Sequence, residues 1–168
     1  MIVVIQAHPY PSRSRAGRAL VEAIRPLPDV EVRSLYDLYP DFDIDVAAEQ
    51  EALARAGLIV WLHPFYWYSV PGLLKHWVDK VLERGWAYGD GGVALAGKRC
   101  LWVPTVGGAA ETYAAGATNL KPFANYVDPL EQTARFCRMV WEEPFVVFDA
   151  RVIRPEDLAR HAALLRKR

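Results

Sequence analysis

Leu58-Ile-Val-Trp-Leu-His-Pro-Phe-Tyr-Trp-Tyr-Ser-Val-Pro-Gly-Leu-Leu-Lys-His-Trp-Val-Asp-Lys-Val-Leu82 joins an apolar run, an aromatic turn and a helical pattern within twenty-five residues. Leu58 to Leu62 is apolar without alternation, the pattern of a strand buried on both faces, as in a parallel sheet. His63 to Ser69 is an aromatic turn, too short to bury its rings against its own neighbours. From Val70 to Arg84 the residues Leu73, Leu74, Trp77, Val78, Val81 and Leu82 recur at helical spacing. Pro71 suits the first turn of that helix, where a missing N–H costs nothing. A strand that passes through an aromatic loop into a helix puts the loop at the carboxyl edge of a sheet, where open α/β folds bind ligands. Which flat molecule Phe65, Tyr66, Trp67 and Tyr68 face then becomes the functional question.

The flanking chain repeats the alternation of strand and helix. Ile2 to Ala7 is a continuous apolar run, followed by His8-Pro-Tyr-Pro-Ser-Arg-Ser-Arg15, whose prolines exclude helix. A helix is expected from about Ser14 to Ile24, stopped by Pro26. Val30 to Leu35 alternates and reads as a half-exposed outer strand. Tyr36 to Asp43 reads as loop, and Asp45 as the N-cap of a helix ending near Ala56. Gly85 to Gly97 contains five glycines and reads as loop. Lys98 to Val106 is the fourth strand, ending in Thr105-Val-Gly-Gly108. Ala109 to Tyr126 is mostly loop with a short helix, Pro129 to Met139 a helix, Phe145 to Phe148 the fifth strand, and Pro155 to Arg166 a terminal helix. Such alternation with buried strands predicts one α/β domain spanning 1–168, a doubly wound parallel sheet of flavodoxin-like order 2-1-3-4-5. In that order the loops after the first, third and fourth strands meet at one edge.

Composition narrows the class. With 20 Lys+Arg against 20 Asp+Glu the chain is formally neutral, which argues against nucleic acid as its partner. The two cysteines, Cys100 and Cys137, lie in apolar segments without metal-ligand spacing and read as reduced thiols of a cytoplasmic protein. No run approaches the ~18 apolar residues of a membrane helix, and the apolar start is too short for a signal peptide.

Each of the three loops carries a functional reading beside a plainer one. The first lacks the Gly-x-Gly-x-x-Gly and phosphate-loop fingerprints. It has the parts of an anion site in Ser12, Ser14, Arg13, Arg15 and the free N–H groups of a helix start; the plainer reading is that Ser14 only caps the helix. The aromatic loop either walls a planar ligand or serves as a core plug or a subunit interface. Thr105 to Gly108 is either a plain turn or a place where backbone approaches a ligand closely. His63, at a strand end before Pro64, reads as a buried, satisfied histidine. Lys75 and Asp79 read as a solvated pair one helical turn apart.

Several motifs carry a resemblance. Ala7-His8-Pro, His63-Pro-x-x-Trp67-Tyr68-Ser69-x-Pro71-x-Leu73-Leu74-Lys75-x-Trp77-x-Asp79-Lys80-Val81, Gly85-Trp86-Ala87-Tyr88-Gly89 and Thr105-x-Gly107-Gly108 resemble the NAD(P)H:quinone oxidoreductase family of flavodoxin-fold flavoproteins. Within it, with Ser34-Leu-Tyr-Asp-Leu-Tyr-Pro-Asp-Phe42, the likeness is to the ancillary flavoproteins of glutathione-regulated potassium-efflux antiporters. The resemblance implies bound FMN, with FAD as the alternative, its phosphate at His8 and Ser14, Arg15, Ala16 and Gly17. It implies an isoalloxazine ring against Phe65, Tyr66, Trp67 and Tyr68 and against Thr105, Val106, Gly107 and Gly108. Gly107 and Gly108 N–H groups would stabilise the anionic reduced flavin. It further implies a homodimer, NADPH or NADH as reductant and a quinone or similar small molecule as acceptor. A membrane potassium-efflux antiporter would be a partner, holding the cytoplasmic protein at the inner face of the cell membrane.

Two positions depart from that pattern. Relatives commonly carry a histidine after the Gly-Gly loop for proton transfer, where this chain reads Thr118-Asn119, which leaves Tyr113, Tyr88 or water as the proton source. Val106 stands where a second threonine is usual.

Overall fold

The computed structural model describes residues 1–168. Strands and helices alternate as β1 Ile2–Gln6, α1 Arg15–Ile24, β2 Val30–Ser34, α2 Leu35–Leu38, α3 Val46–Arg55, β3 Leu58–Pro64, α4 Gly72–Val81, β4 Arg99–Thr105, α5 Asp128–Phe136, β5 Val140–Trp141 and α6 Pro155–Leu165. The strands form one sheet in the order β2-β1-β3-β4-β5, and every pairing is parallel. This is the flavodoxin-like order expected from the sequence. No helix is long and apolar enough to cross a membrane.

Successive side chains of a strand point to opposite faces, and here both faces are covered. Val3, Ile5, Ile59, Trp61, Cys100 and Trp102 pack with Leu35, Leu53, Leu73, Leu74, Trp77 and Ala134, on the side of α2 to α5. Val4, Val60, Leu62, Leu101 and Val103 pack with Leu20, Val21, Ile24, Leu158 and Ala162, on the side of α1 and α6. Two-sided burial explains why the central strands read as unbroken apolar runs. All five residues of β2 are half-buried, in keeping with an edge strand. Cys100 and Cys137 are both buried and unpaired.

The fifth strand differs from expectation. Val140–Trp141 pairs with Arg99 and Cys100, whereas Phe145 to Phe148 touches β4 mainly through a single parallel bridge between Val147 and Thr105. The bonds Val140 N–H to Lys98 O, Glu142 N–H to Cys100 O, Phe145 N–H to Trp102 O and Val147 N–H to Pro104 O follow β4 along its length. Their spacing slips by one residue between Glu142 and Phe145, around Pro144, which has no N–H to contribute. The edge is therefore bulged, and the Phe145 to Phe148 segment is bound to the sheet without being a regular strand. Elsewhere Leu35–Leu38 is a short helix inside the expected loop, β3 extends through His63 and Pro64, and α5 stops at Phe136 because Arg138 takes left-handed backbone (φ 61°).

Two buried polar residues hold the frame of the sheet edge. Glu49, capped into α3 by Asp45 accepting from Ala48 N–H at 3.0 Å, is 0% exposed. Its carboxylate accepts from Arg33 Nε at 2.8 Å, the Tyr39 hydroxyl at 2.6 Å and Trp77 Nε1 at 2.8 Å. One carboxylate thus ties β2, the segment after α2, and α4 to α3. Burial and the hydrogen bond to this carboxylate push the Tyr39 phenol up to about 12. His63 is the second: Trp102 Nε1 donates to His63 Nε2 at 2.7 Å. Since an indole N–H can only donate, Nε2 is the acceptor and Nδ1 carries the proton, donating to the Pro64 carbonyl at 2.9 Å. Burial holds the His63 pKa down at about 4, so the ring is neutral and pins the end of β3 to β4.

Glu49→Ala leaves the Arg33 guanidinium without its buried partner and should lower the unfolding free energy by about 3 kcal/mol in a urea titration. His63 gives a pH signature. The unfolded chain protonates it near 6.5 and the folded chain near 4, so between those values the unfolded state binds the extra proton and stability falls as pH is lowered. Urea unfolding at pH 5 should show a free energy about 2 kcal/mol below that at pH 7, and His63→Gln should remove most of the difference.

Candidate ligand-binding cleft

At the carboxyl edge of the sheet lies a cleft of about 350 Å³, lined by fourteen residues including His8, Arg13, Ser14, Arg15, Ala16, Gly17, Phe65, Tyr66, Thr105, Gly107 and Arg151. Loops following β1, β3 and β4 converge there, as the strand order requires, and the segment after Val147 closes the fourth side.

The first wall is the start of α1. Ser14 occupies the N-cap position, yet its side chain makes no capping bond and the first turn carries no acidic residue. The N–H groups of Arg15, Ala16 and Gly17 have no backbone acceptor, so the positive end of the helix opens onto the cleft. A Cβ on Gly17 would stand 2.5 Å from Ser14 Oγ; glycine there is what leaves room for the hydroxyl. His8 accepts from Tyr10 N–H through Nδ1 at 3.0 Å, and burial lowers its pKa. The neutral ring so fixed has Nε2–H as its remaining donor. Arg15 donates to the Ile153 carbonyl, and Arg13 lies over the Tyr10 ring at 5.5 Å. Both arginines therefore have a packing role, and their charge still faces the cleft.

The second wall comes from the aromatic loop, which does not present four rings to one ligand. Tyr66 and Ser69 exchange hydrogen bonds, Tyr66 N–H to Ser69 O at 3.2 Å and Ser69 N–H to Tyr66 O at 2.9 Å. Trp67 (φ 47°) and Tyr68 (φ 61°) between them are both left-handed. This is the hairpin turn usually built from Asn-Gly; two aromatic residues in it cost on the order of 1–3 kcal/mol each. The turn sends the rings in different directions. Phe65 is buried against Trp102, Phe123 and Tyr126. Tyr66 lines the cleft beside His8, Trp67 is 92% exposed, and Tyr68 stacks on Tyr126 and donates to Asn119 Oδ1 at 3.2 Å. Asn119 donates through Nδ2 to Thr112 O and Thr112 Oγ1 and so clasps the loop under Tyr68.

The third wall is the end of β4. Thr105 and Gly107 line the cleft. Val106 is buried in the core and its N–H goes to Val147 O at 2.8 Å, so neither its side chain nor its N–H faces the cleft. Gly107 and Gly108 N–H groups have no acceptor in the chain. A Cβ on Gly108 would meet Thr112 Oγ1 at 3.2 Å and the Tyr113 ring at 3.6 Å, which places Tyr113 beside this turn. Its phenol makes no hydrogen bond within the chain, and burial, then the neighbouring Tyr68 and Tyr126, raise its pKa. Tyr88 is elsewhere: its ring lies 5.0 Å from Phe136, in a separate groove with Val78, Leu82 and Cys137 between α4 and α5. Ala150 and Arg151 are cleft residues that the sequence reading did not single out. The signal was present, since the loop after a fifth parallel strand ends at the same edge and here contains an arginine.

A helix start with free N–H groups, a side-chain hydroxyl, two unpartnered peptide N–H groups across the cleft and an aromatic face between them suit an elongated ligand with an anionic tail and a flat polar-edged ring. FMN fits these residues. A protein-family profile described as Flavodoxin-like fold matches residues 1–168. The glutathione-regulated potassium-efflux system ancillary protein KefF of Salmonella typhi is 56% identical over 147 residues, 88% of this chain and 82% of that protein. The crystal structure of general stress protein 14 of Treponema denticola in complex with FMN has TM-score 0.91 and 35% identity, covering 98% of this chain and 94% of that one. An NADPH-quinone reductase from P. pentosaceus has TM-score 0.90 and 28% identity, covering 99% and 96%. The chain belongs to the flavodoxin-like family and is a relative of the KefF ancillary proteins and of flavodoxin-fold quinone reductases.

Proposed function

We propose that this chain is an FMN-dependent NAD(P)H:quinone oxidoreductase that works by a two-electron, ping-pong cycle. The observation that carries the reading is the cleft, which joins the open start of α1 to the glycine turn at Gly107, whose N–H, like that of Gly108 next to it, has no partner, past Phe65 and Tyr66. A bound flavin would supply the hydride and two-electron chemistry between a nicotinamide and an acceptor. The protein binds and orients. Ser14 Oγ, His8 Nε2–H and the N–H groups of residues 15–17 hold the phosphate. Gly107 and Gly108 N–H groups stabilise negative charge in a site where they need not reorganise. Tyr113 Oη, a phenol beside the glycine turn with no partner in the chain, donates to the acceptor oxygen as charge develops there.

Two features support a homodimer: Trp67 stands out into solvent, and Phe136 beside Tyr88 is also exposed. A second subunit covering either patch would bury an aromatic surface of the kind interfaces favour, and is the route by which Tyr88 would approach a bound flavin. A second reading rests on the 56% identity to an ancillary protein of a potassium-efflux system. In it the same chain binds and stimulates a membrane antiporter from the cytoplasmic side, with its redox state or its occupancy by nicotinamide as the signal.

Purified protein should be yellow, or become so with added FMN, and should bleach anaerobically with NADPH or NADH and recover colour with a simple quinone. A chain that binds no FMN would overturn the reading. Antiporter stimulation that survives in a chain unable to oxidise NAD(P)H would favour the second reading over the first. Gly17→Ala drives a Cβ into Ser14 Oγ and should weaken FMN at least tenfold by fluorescence titration, with riboflavin, which lacks the phosphate, little changed.

A further inference from the structure

The cleft is lined by three arginines and by no aspartate or glutamate, in a chain whose formal net charge is zero. Two of those cations have assignments: Arg15 holds the Ile153 carbonyl and Arg13 covers Tyr10. Arg151 makes no ion pair, hydrogen bond or aromatic stack. Its position is nevertheless well defined by the backbone around it. Val106 N–H to Val147 O at 2.8 Å, Asp149 N–H to Gly108 O at 3.0 Å and Ala150 N–H to Val106 O at 2.9 Å zip its loop to the glycine turn. Asp149 is left-handed (φ 55°), and its carbonyl accepts from Val152 and Ile153 N–H groups, so the chain reverses sharply at Arg151. The guanidinium then lies against Gly107, where a Cβ would stand 3.1 Å from Arg151 Nε. Across the cleft its charge opposes the upward pull that burial exerts on the Tyr66 phenol.

Arg151 therefore lines the cleft beside the glycine turn, next to peptide N–H groups that lack an acceptor. We propose, resting on the flavin reading above, that Arg151 is a cofactor-binding residue whose charge makes the cleft hold the anionic reduced flavin more tightly than the neutral oxidised flavin. The charge balance is explicit. A hydride from NAD(P)H brings two electrons and one proton to the neutral ring, so the product carries one negative charge, and a guanidinium beside it stabilises the product selectively. Unequal affinity for the two forms raises the two-electron potential of the bound cofactor by linkage. Arg151 is exposed, and its substitution leaves the core intact.

The test compares wild type, Arg151→Gln and Arg151→Lys loaded with FMN, by spectroelectrochemical midpoint potential and by dissociation constants for oxidised FMN and riboflavin. Arg151→Gln should lose about tenfold of the preference for reduced over oxidised flavin, a fall of about 30 mV, while its affinity for oxidised riboflavin is unchanged. Arg151→Lys should keep most of the potential. A Gln variant with unchanged potential overturns the proposal while leaving the flavin reading intact. So does one in which FMN binding weakens, riboflavin binding holds and the potential stays, because that pattern makes Arg151 a phosphate ligand. A wild-type chain that binds no flavin at all overturns both.

Discussion

The parallel pairing of β3 with β1 on one side and β4 on the other is the constraint on which the cleft depends. Ile2 aligns with Leu58 and Leu58 with Arg99, so the three strands start level and their loops leave the sheet at one edge. A slip of one residue would turn every side chain to the opposite face, exchanging Trp61 and Trp102 for Val60 and Leu101 under the larger helical layer. That exchange is opposed by volume, because the two layers are filled by side chains of different size. It is also opposed by the bond from Trp102 Nε1 to His63 Nε2, which forms only in the observed register. Core packing on two faces thus becomes positional accuracy at the edge.

The aromatic loop shows how that accuracy is used. Left-handed backbone at Trp67 and Tyr68 is unfavourable for such residues, and the turn holds because its neighbours are anchored. Phe65 is inserted among Trp102, Tyr113, Phe123 and Tyr126, where burial of a ring contributes about 1.5–3 kcal/mol. Tyr68 is fastened to Tyr126 and Asn119. The rings that look like a ligand platform thus divide, one pair bracing the loop from beneath while Tyr66 and Trp67 turn toward the cleft and the solvent.

Charge is divided in the same manner. Glu49 takes up donors from Arg33, Tyr39 and Trp77 inside the protein, and many surface acids are paired within a helix or with a neighbouring strand. The cleft receives arginines without acidic partners. A neutral total therefore conceals a locally positive site, and such a site favours an anionic ligand without making the whole molecule basic.

Much of this was legible in the residues. Unalternating runs at Ile2 to Ala7, Leu58 to Leu62 and Cys100 to Val103 mark strands covered on both sides, and with the helices between them they prescribe the sheet order and hence the meeting of three loops. Hydrophobic periodicity reports burial, and burial is what the fold is made from. The strand at Phe145 to Phe148 was misplaced because Pro144 and a one-residue slip divide the pairing along the edge. The directions of four consecutive rings were not legible because they depend on two left-handed dihedrals that no glycine or asparagine announces. Arg151 was passed over because an arginine in a loop has no periodicity to mark it. The residues alone prescribed the first four strands and the longer helices, the end of the sheet that bears the loops and the residue types offered there. Only the tertiary structure decided where Tyr66, Tyr88 and Arg151 point and which N–H groups remain free, since those depend on backbone turns and long-range hydrogen bonds that exist only after the layers have packed.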